Sequence, residues 1–217
     1  MSAGVAEPVS PARGGLKSLL EAVVADGTVV EQNVSLAELT TLRVGGQADW
    51  FAEPQSQADL SALVSASREH GLPVTALGLG SNFLVLDSGV RGLTVRLSAG
   101  VFAGIEVDGS RLKCGAAARM KKVAAEARRC RLAGMEFLEG IPGSVGGGLR
   151  MNAGAMGSEL FDVVETVRFM DPAGEVFEMS AESIESTYRS CPLLKNQIAL
   201  GAVLKGEPDT GEAIAAR

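Results

Sequence analysis

Two glycine-rich segments restrict what this sequence can fold into. The first reads LGLGSNFLVLDSGVRG over residues 77–92, and the second reads EGIPGSVGGGLRMNAGAMGSE over residues 139–159. Glycine inside a helix or strand costs about 1 kcal/mol relative to alanine. The glycine density of the second segment therefore predicts a shaped loop rather than a regular helix or strand.

Neither segment fits the two most familiar glycine motifs for nucleotides. Gly78 and Gly80 match the start of the Rossmann fingerprint, but Phe83 stands where the third glycine belongs, and FLVL predicts a strand where a helix is required. Residues 143–148 are followed by Leu and Arg rather than by Lys and Ser or Thr, which excludes a P-loop.

The first segment can still bind an anion. Gly78 and Gly80 allow close approach of the backbone to a ligand. Consecutive N–H groups, together with Ser81 and Asn82, could form an anion-binding nest that suits a diphosphate. The alternative is that both segments are turns between packed elements, but two such loops, each with Ser and Asn, favour binding.

Periodicity and caps predict three main helices. They are an amphipathic helix over 16–25, a helix capped by Ser56 and ended by Gly71, and a helix from Met120 to Leu132. Basic residues of the third helix predict a solvated face: Lys121, Lys122, Arg128 and Arg129.

Strands are predicted at PVTAL, FLVL, LTVRL and NQIALGAVLK, with hairpins over 104–115 and 163–179. SAESIESTYRS predicts a short helix and a turn. Because hairpins outnumber strand-helix-strand crossovers, the predicted class is α+β. The expected organisation is a flexible lead-in over 1–15, two mixed units over 16–98 and 101–206, and the start of a connection over 207–217.

Composition narrows the function classes. The net charge is −6 and aromatic residues make up 4%, which argues against a nucleic-acid partner. No apolar run approaches the ~20 residues of a membrane span, so no membrane partner is expected. Cys114, Cys130 and Cys191 are too few and too widely spaced for a disulfide framework, which favours the cytoplasm. No metal site is predicted, and no pattern specifies an oligomeric state.

The order and spacing of TTLRVGG, LGLGSNFLVLDSGVRG, GIPGSVGGGLRMNAGAMGSE and YRS resemble the UDP-N-acetylenolpyruvoylglucosamine reductase family, also called UDP-N-acetylmuramate dehydrogenases or the MurB family. The resemblance runs from about residue 16 to the end. It implies the two-subdomain FAD-binding fold of the vanillyl-alcohol oxidase (PCMH) type. It also implies NADPH as hydride donor, a small-molecule UDP-sugar substrate and a role in peptidoglycan precursor synthesis.

The resemblance also assigns site residues. A first set would wrap the FAD pyrophosphate: Gly78, Leu79, Gly80, Ser81 and Asn82. A second set would line the rest of the dinucleotide and the flavin: Gly140, Ile141, Pro142, Gly143, Ser144, Gly146, Gly147, Asn152, Ala153, Gly154 and Gly157. His70 is badly placed to tether flavin, so the FAD is expected to be non-covalent.

Tyr188 and Arg189 match the family's catalytic Tyr-Arg pair, in which a fixed guanidinium stabilises the developing enolate and grips its carboxylate. The family's serine proton donor and late glutamate belong to a third domain and cannot be assigned to residues here. The expectation is therefore the FAD-binding portion of a reductase, incomplete for catalysis. A non-catalytic flavin-binding module and a flavin oxidase of the same fold are the alternatives.

Overall fold

The computed structural model describes residues 13–25, 27–98 and 100–216. The strands of this part are β1 (Val29–Ser35), β2 (Gln47–Glu53), β3 (Val74–Leu77), β4 (Val90–Arg96), β5 (Ile105–Asp108), β6 (Arg111–Gly115), β7 (Leu132–Ala133), β8 (Gly154–Ala155), β9 (Ser158–Glu159), β10 (Val164–Met170), β11 (Val176–Ser180), β12 (Ile198–Lys205) and β13 (Glu207–Pro208). Its α-helices are α1 (Arg13–Ala22), α2 (Gln57–Glu69), α3 (Met120–Arg129), α4 (Val145–Met151) and α5 (Gly211–Ala215).

The first sheet has four strands in the order β1-β2-β4-β3. β1 is antiparallel to β2, whereas β2 and β3 both run parallel to β4. Adjacent parallel strands need a connection that returns the chain along the sheet. Between β3 and β4 this connection is residues 78–89, which contain most of the first glycine segment and no helix.

The second helix begins and ends where the sequence predicts. Ser56 Oγ accepts a hydrogen bond from the Asp59 N–H at 3.0 Å, as expected of an N-cap. His70 is the C-cap residue, and Gly71 after it has a φ of +65°. His70 is exposed at the helix end, as predicted.

The second sheet is antiparallel, with five strands in the order β11-β10-β12-β6-β5. Both predicted hairpins, β5-β6 and β10-β11, are confirmed. The first of them turns at Asp108-Gly109, where Gly109 has a φ of +60°. The sheets and helices together form a mixed architecture of the predicted α+β class.

α2 packs against both sheets. Leu60 and Leu63 of α2 pack in one apolar cluster with Leu93 of the first sheet and with Met170 and Leu200 of the second. Ser61 and Ser65 on the same helix donate hydrogen bonds to the carbonyls of Gly174 and Ala173, in the turn between β10 and β11. The division into units 16–98 and 101–206 stays a prediction.

Three predicted elements differ from the structure, besides the third helix, which ends at Arg129 rather than at Leu132. The FLVL strand prediction is wrong: residues 83–86 belong to no strand, and Leu84 and Leu86 are 67% and 70% exposed. The first helix begins at Arg13 and ends at Ala22, three residues earlier than predicted at each end. The predicted lead-in thus overlaps it at residues 13–15, whereas residues 1–12 lie outside the described part.

The third difference concerns the second glycine segment. The prediction of a loop without helix is wrong for Val145–Met151, which form α4. Close packing explains the glycines, because a Cβ on Gly146 would lie 2.9 Å from Ala116 Cβ, and one on Gly148 would lie 2.0 Å from Met120 Cε. Glycine lets this helix approach its neighbours at the cost of helix propensity.

Candidate functional site

The first glycine loop, residues 78–82, leaves the end of β3. Gly80 has a φ of +66°, and its carbonyl accepts a hydrogen bond from the Thr41 N–H at 3.0 Å. A Cβ at Gly80 would lie 2.4 Å from the carbonyl oxygen of Leu39 and 2.7 Å from Cα of Thr40. The backbone of a neighbouring segment therefore requires glycine at this position.

The second loop, residues 140–144, begins at the last residue of the 3-10 helix Glu136–Gly140 and leads into α4. Gly143 has a φ of +135°, and its carbonyl accepts a hydrogen bond from the Met120 N–H at 3.1 Å. Ser144 forms an isolated β-bridge with Arg119. These contacts attach the loop to the start of α3.

The two loops contact each other although about sixty residues separate them in sequence. Ser81 Oγ donates a hydrogen bond to the carbonyl of Pro142 at 3.1 Å. A Cβ on Gly143 would lie 3.2 Å from Ser81 Oγ, and a Cβ on Gly78 would lie 3.0 Å from Ser144 Oγ. The structure therefore brings the two predicted segments together.

A cleft of about 630 Å³ opens beside this contact. Its volume lies within the range of roughly 300 to 1,000 Å³ that is typical of small-molecule sites. Six of its lining residues were predicted from the sequence, namely Leu79, Ser81, Gly140, Ile141, Pro142 and Gly143. Four more line it without having been predicted, namely Thr41, Arg119, Lys121 and Glu139.

The four lining residues that were not predicted give the cleft polar and charged groups. Lys121 Nζ lies 4.0 Å from Glu139 Oε1, and both side chains are largely exposed, so this pair is weak. Thr41 belongs to the TTLRVGG motif, so the sequence contained a pattern from which its place at the site could have been predicted. No sequence pattern indicates Arg119 or Lys121, because only the packing of α3 on the second loop turns this end of its basic face towards the cleft.

Other predicted residues lie outside the cleft lining. Asn82 is exposed beside Ser81, while Gly146 and Gly147 lie in the first turn of α4. Ser144 is buried with 3% exposure, and its side chain makes no capping hydrogen bond to α4. The predicted binding segment is thus divided between a loop that lines the cleft and a helix behind it.

The end of the second segment forms a small hairpin from β8 and β9. Gly154 is needed there, because a Cβ would lie 2.6 Å from the Ser158 carbonyl oxygen. Gly157 has a φ of +84° in the turn, and Ala153 before the hairpin is buried. Asn152 is also buried, with 2% exposure.

The Tyr188-Arg189 pair occupies the tip of a tight turn. Thr187 and Ser190 exchange two backbone hydrogen bonds, of 2.9 and 3.0 Å, and the two residues between them are exposed. Arg189 has a φ of +58°, and its Cζ lies 5.6 Å from the centroid of the Tyr188 ring. The pair therefore forms a cation–π contact at the surface, with the guanidinium exposed.

Other types of site find no support in the described residues. No cluster of three or more His, Cys, Asp or Glu side chains suited to a metal ion occurs among them. No helix in this part of the chain has the length and apolar character that crossing a bilayer requires. His70 Nδ1 lies 2.9 Å from the Ala66 carbonyl oxygen, at the end of α2. The three cysteines are free.

Known proteins are similar to this chain in sequence and in fold. The chain is 43% identical over 185 residues to a UDP-N-acetylenolpyruvoylglucosamine reductase of Methylorubrum extorquens, covering 85% of this chain and 60% of the relative. The crystal structure of UDP-N-acetylenolpyruvylglucosamine reductase (MurB) from Thermus caldophilus superposes with a TM-score of 0.75 at 34% identity, covering 87% of this chain and 66% of that one. This chain thus spans about 60% of the length of the curated relative.

More distant structures share the fold alone. The 4-ethylphenol oxidase of Gulosibacter chungangensis has a TM-score of 0.64 at 14% identity, over 90% of this chain and 42% of that one. This likeness confirms the predicted fold of the vanillyl-alcohol oxidase (PCMH) type. A family model described as "FAD binding domain" matches residues 48–180, more than half of the chain. The chain therefore belongs to the family of FAD-binding domains.

Proposed function

We propose that this chain is the FAD-binding portion of an NADPH-dependent UDP-N-acetylenolpyruvoylglucosamine reductase. The reaction would reduce the enolpyruvyl ether of a UDP-sugar to the lactyl ether of UDP-N-acetylmuramate, for peptidoglycan precursor synthesis. The 43% identity to the Methylorubrum reductase over 85% of the chain supports this assignment. Free cysteines fit a cytoplasmic location.

The observation that carries the proposal is the contact of the two glycine loops at one cleft. Ser81 of the first loop donates a hydrogen bond to the Pro142 carbonyl of the second, and both residues line the cleft. Arg119 and Lys121 bring two positive charges to the same cleft, and Glu139, which lies 4.0 Å from Lys121, brings one negative charge, so the lining side chains carry a net charge of +1. Hydroxyl groups, glycine backbone and cations are groups that bind a diphosphate. The residues present therefore fit the pyrophosphate of FAD.

Two groups of residues would hold the cofactor. Leu79, Ser81 and the loop 140–143 would contact it directly, while Gly78 and Gly80 would shape the first loop. Bound FAD would supply the two-electron chemistry, taking hydride from NADPH and delivering it to the enolpyruvyl double bond. We expect this FAD to dissociate, because His70 lies at the end of α2 and does not line the cleft.

Arg189 would act on the substrate. Hydride addition to the enolpyruvyl carbon–carbon double bond places negative charge on the carboxylate side of the substrate. The exposed guanidinium beside the Tyr188 ring can bind that carboxylate at two points and stabilise the developing enolate. Protonation of the second carbon completes the reduction, and no residue of this chain is assigned to donate that proton.

A chimera tests the proposed activity. The aligned portion of the Methylorubrum reductase would be replaced by residues of this chain, and NADPH oxidation would be followed with and without UDP-N-acetylglucosamine enolpyruvate. We expect the FAD-loaded chimera to oxidise NADPH faster when the substrate is present, with the unmodified reductase as the positive control. Flavin absorbance confirms that FAD is bound in each protein.

A chimera that binds FAD without any substrate-dependent NADPH oxidation would overturn the reductase assignment. That result would favour a flavin-binding module without this activity. Oxygen consumption with small alcohols, measured on the same preparation, would instead identify a flavin oxidase.

A further inference from the structure

The Tyr188-Arg189 turn is attached to the rest of the protein close to Asn152. Asn152 Nδ2 donates to the carbonyl of Thr187, the residue before the pair, at 3.4 Å. The Cys191 N–H donates to the Arg150 carbonyl at 3.2 Å, which holds the other side of the turn. Both contacts come from the C-terminal end of α4.

The side chain of Asn152 is committed to protein partners. Besides the bond to Thr187, Nδ2 donates to Glu159 Oε2 at 2.7 Å, and Oδ1 accepts from the Phe161 N–H at 3.2 Å. Both amide hydrogens and the carbonyl oxygen are thus used. Since the residue is 2% exposed, its side chain has no free surface to offer a dinucleotide.

The backbone of Asn152 explains the choice of residue. It is the C-cap of α4, with φ and ψ of 39° and 57° in the left-handed region. Asparagine adopts this conformation more readily than other residues with a Cβ. It therefore ends the helix and, at the same position, supplies a side-chain donor that points to the turn.

α4 connects this point to the cleft. The helix starts after Ser144, directly behind the loop that lines the cleft, and ends at Met151. Seven helical residues span only about 10 Å. The turn is therefore attached to the end of one short helix by two contacts, the Asn152 amide on the side of Thr187 and the Arg150 carbonyl on the side of Cys191.

We propose that Asn152 is a positioning residue, which sets the place of the Tyr188-Arg189 turn relative to the cleft. It acts through the Thr187 carbonyl and touches neither substrate nor cofactor. The consequence for turnover rests on the proposed function, whereas the positioning itself does not.

NMR can test the positioning without any ligand. Tyr188 is the only tyrosine of the chain, so labelling with 15N-tyrosine gives a single amide resonance from the tip of the turn. The variant is Asn152→Gly, which keeps the left-handed backbone and removes the side chain. The matched control is Asn33→Gly, because Asn33 is an exposed asparagine with a φ of +58° in β1.

We expect the Tyr188 resonance of Asn152→Gly to shift and its order parameter to fall from near 0.85 towards about 0.6 or lower. Asn33→Gly should leave both unchanged. If Asn152→Gly does not fold, Asn152→Asp combined with Glu159→Gln decides, because this pair keeps the volume, the left-handed preference and a hydrogen bond between the two side chains, and loses the donor to Thr187. An unchanged Tyr188 resonance and order parameter in a folded Asn152 variant would overturn the proposal.

Kinetics of the FAD-loaded chimera provide the second readout. Asn152→Gly should lower kcat by about tenfold to a hundredfold with FAD affinity retained, because a misplaced guanidinium loses its geometry in the transition state. If Arg189→Lys leaves turnover unchanged while the NMR signal responds to Asn152→Gly, the proposed role of Arg189 fails and the positioning stands. If the chimera with Asn152→Gly turns over normally, its effect on the reaction is refuted.

Discussion

The glycines of the two loops differ in what surrounds each of them. At Gly80 the missing side chain leaves room for the Leu39 carbonyl, so a valine there would disturb the fold before any ligand is bound. At Gly140, which lines the cleft, a Cβ would meet nothing within 4 Å, and the backbone has an ordinary φ. Both positions are glycine in the sequence. Only a substitution at Gly140 would change the cleft without disturbing the fold.

Lys121 offers a test of the charge at the cleft. An exposed ion pair contributes between about 0 and 1 kcal/mol, so we expect Lys121→Ala to weaken FAD binding by about twofold to fivefold. The loss should shrink as salt is added, because exposed charges are screened. Lys122→Ala is the matched control, since this exposed lysine is the next residue of α3 and does not line the cleft.

Fluorescence titration of FAD at low and high salt measures both effects. If the Lys121→Ala and wild-type proteins bind FAD with equal affinity at low salt, Lys121 does not contribute to FAD binding.

The role of Arg189 depends on its planar two-point grip. Arg189→Lys keeps the charge and loses that geometry. In the FAD-loaded chimera we expect kcat to fall by roughly tenfold to a thousandfold, as when one preorganised electrostatic contact is lost. FAD occupancy, read from the flavin absorbance, should stay the same. Unchanged turnover at full occupancy would contradict the assignment.

α4 is the element that the sequence pattern predicts least well. Three consecutive glycines indicate a loop by propensity, yet residues 146–148 lie in a helix, and a Cβ at Gly146 or Gly148 would press on close neighbours. Such tertiary packing is not visible in a local pattern. By contrast, the α2 cap at Ser56 and the Asp108-Gly109 turn depend only on local chemistry, and both were predicted.

Two alanine substitutions in α4 should have opposite effects. Gly147 is exposed, and a Cβ there would have only Ser144 Oγ near it, at 3.9 Å, so Gly147→Ala should stabilise the protein by about 0.5 to 1 kcal/mol through helix propensity. Gly146→Ala gains the same propensity but pushes against Ala116, which we expect to cost about 1 to 3 kcal/mol.

Urea denaturation of both variants beside the wild type gives the comparison. Equal stabilisation by the two substitutions would show that α4 does not pack against Ala116 as described.

Asp59 joins the start of α2 to the chain that follows α1. Its carboxylate accepts hydrogen bonds from the Ala25 N–H, Thr28 Oγ1 and Ser56 Oγ, at 2.9, 3.1 and 2.8 Å. These bonds, the Ala25 bond foremost, lower the pKa of the Asp59 carboxyl group in the folded protein despite desolvation. The stabilisation is therefore present above the unfolded pKa of about 4 and is lost as the pH falls through the lower folded pKa.

Asp59→Asn should destabilise the protein by about 1 to 3 kcal/mol at pH 7, because a buried acceptor is lost. The difference from wild type should narrow below about pH 4. Asp108→Asn, at an exposed hairpin turn, serves as the control and should change little. Denaturation midpoints between pH 3 and 7 measure the effect, and a difference that stays constant over this range would refute it.

At the scale of the whole molecule, the cleft depends on long-range contacts. The first loop follows β3 of one sheet, the second precedes α4, and they meet through Ser81 and Pro142. The order of the motifs was enough to predict an FAD-binding domain, its fold and six of the residues that line the cleft. Arg119 and Lys121 could not be predicted, because their position depends on how α3 packs against a loop that follows it in sequence.

The most direct test of the account is FAD titration of the purified chain with a side chain placed in the cleft. Gly140→Leu adds a side chain in open space at the lining, without backbone strain. Gly104→Leu is the matched control, since Gly104 also has free space and an ordinary φ but does not line the cleft.

Flavin fluorescence should show FAD binding to the wild-type and Gly104→Leu proteins with equal affinity. Binding to Gly140→Leu should be at least about tenfold weaker, a loss of ~1.4 kcal/mol, with thermal stability unchanged. No FAD binding by the wild-type chain, or equal affinity in a folded Gly140→Leu protein, would contradict the assignment of this cleft as the FAD site.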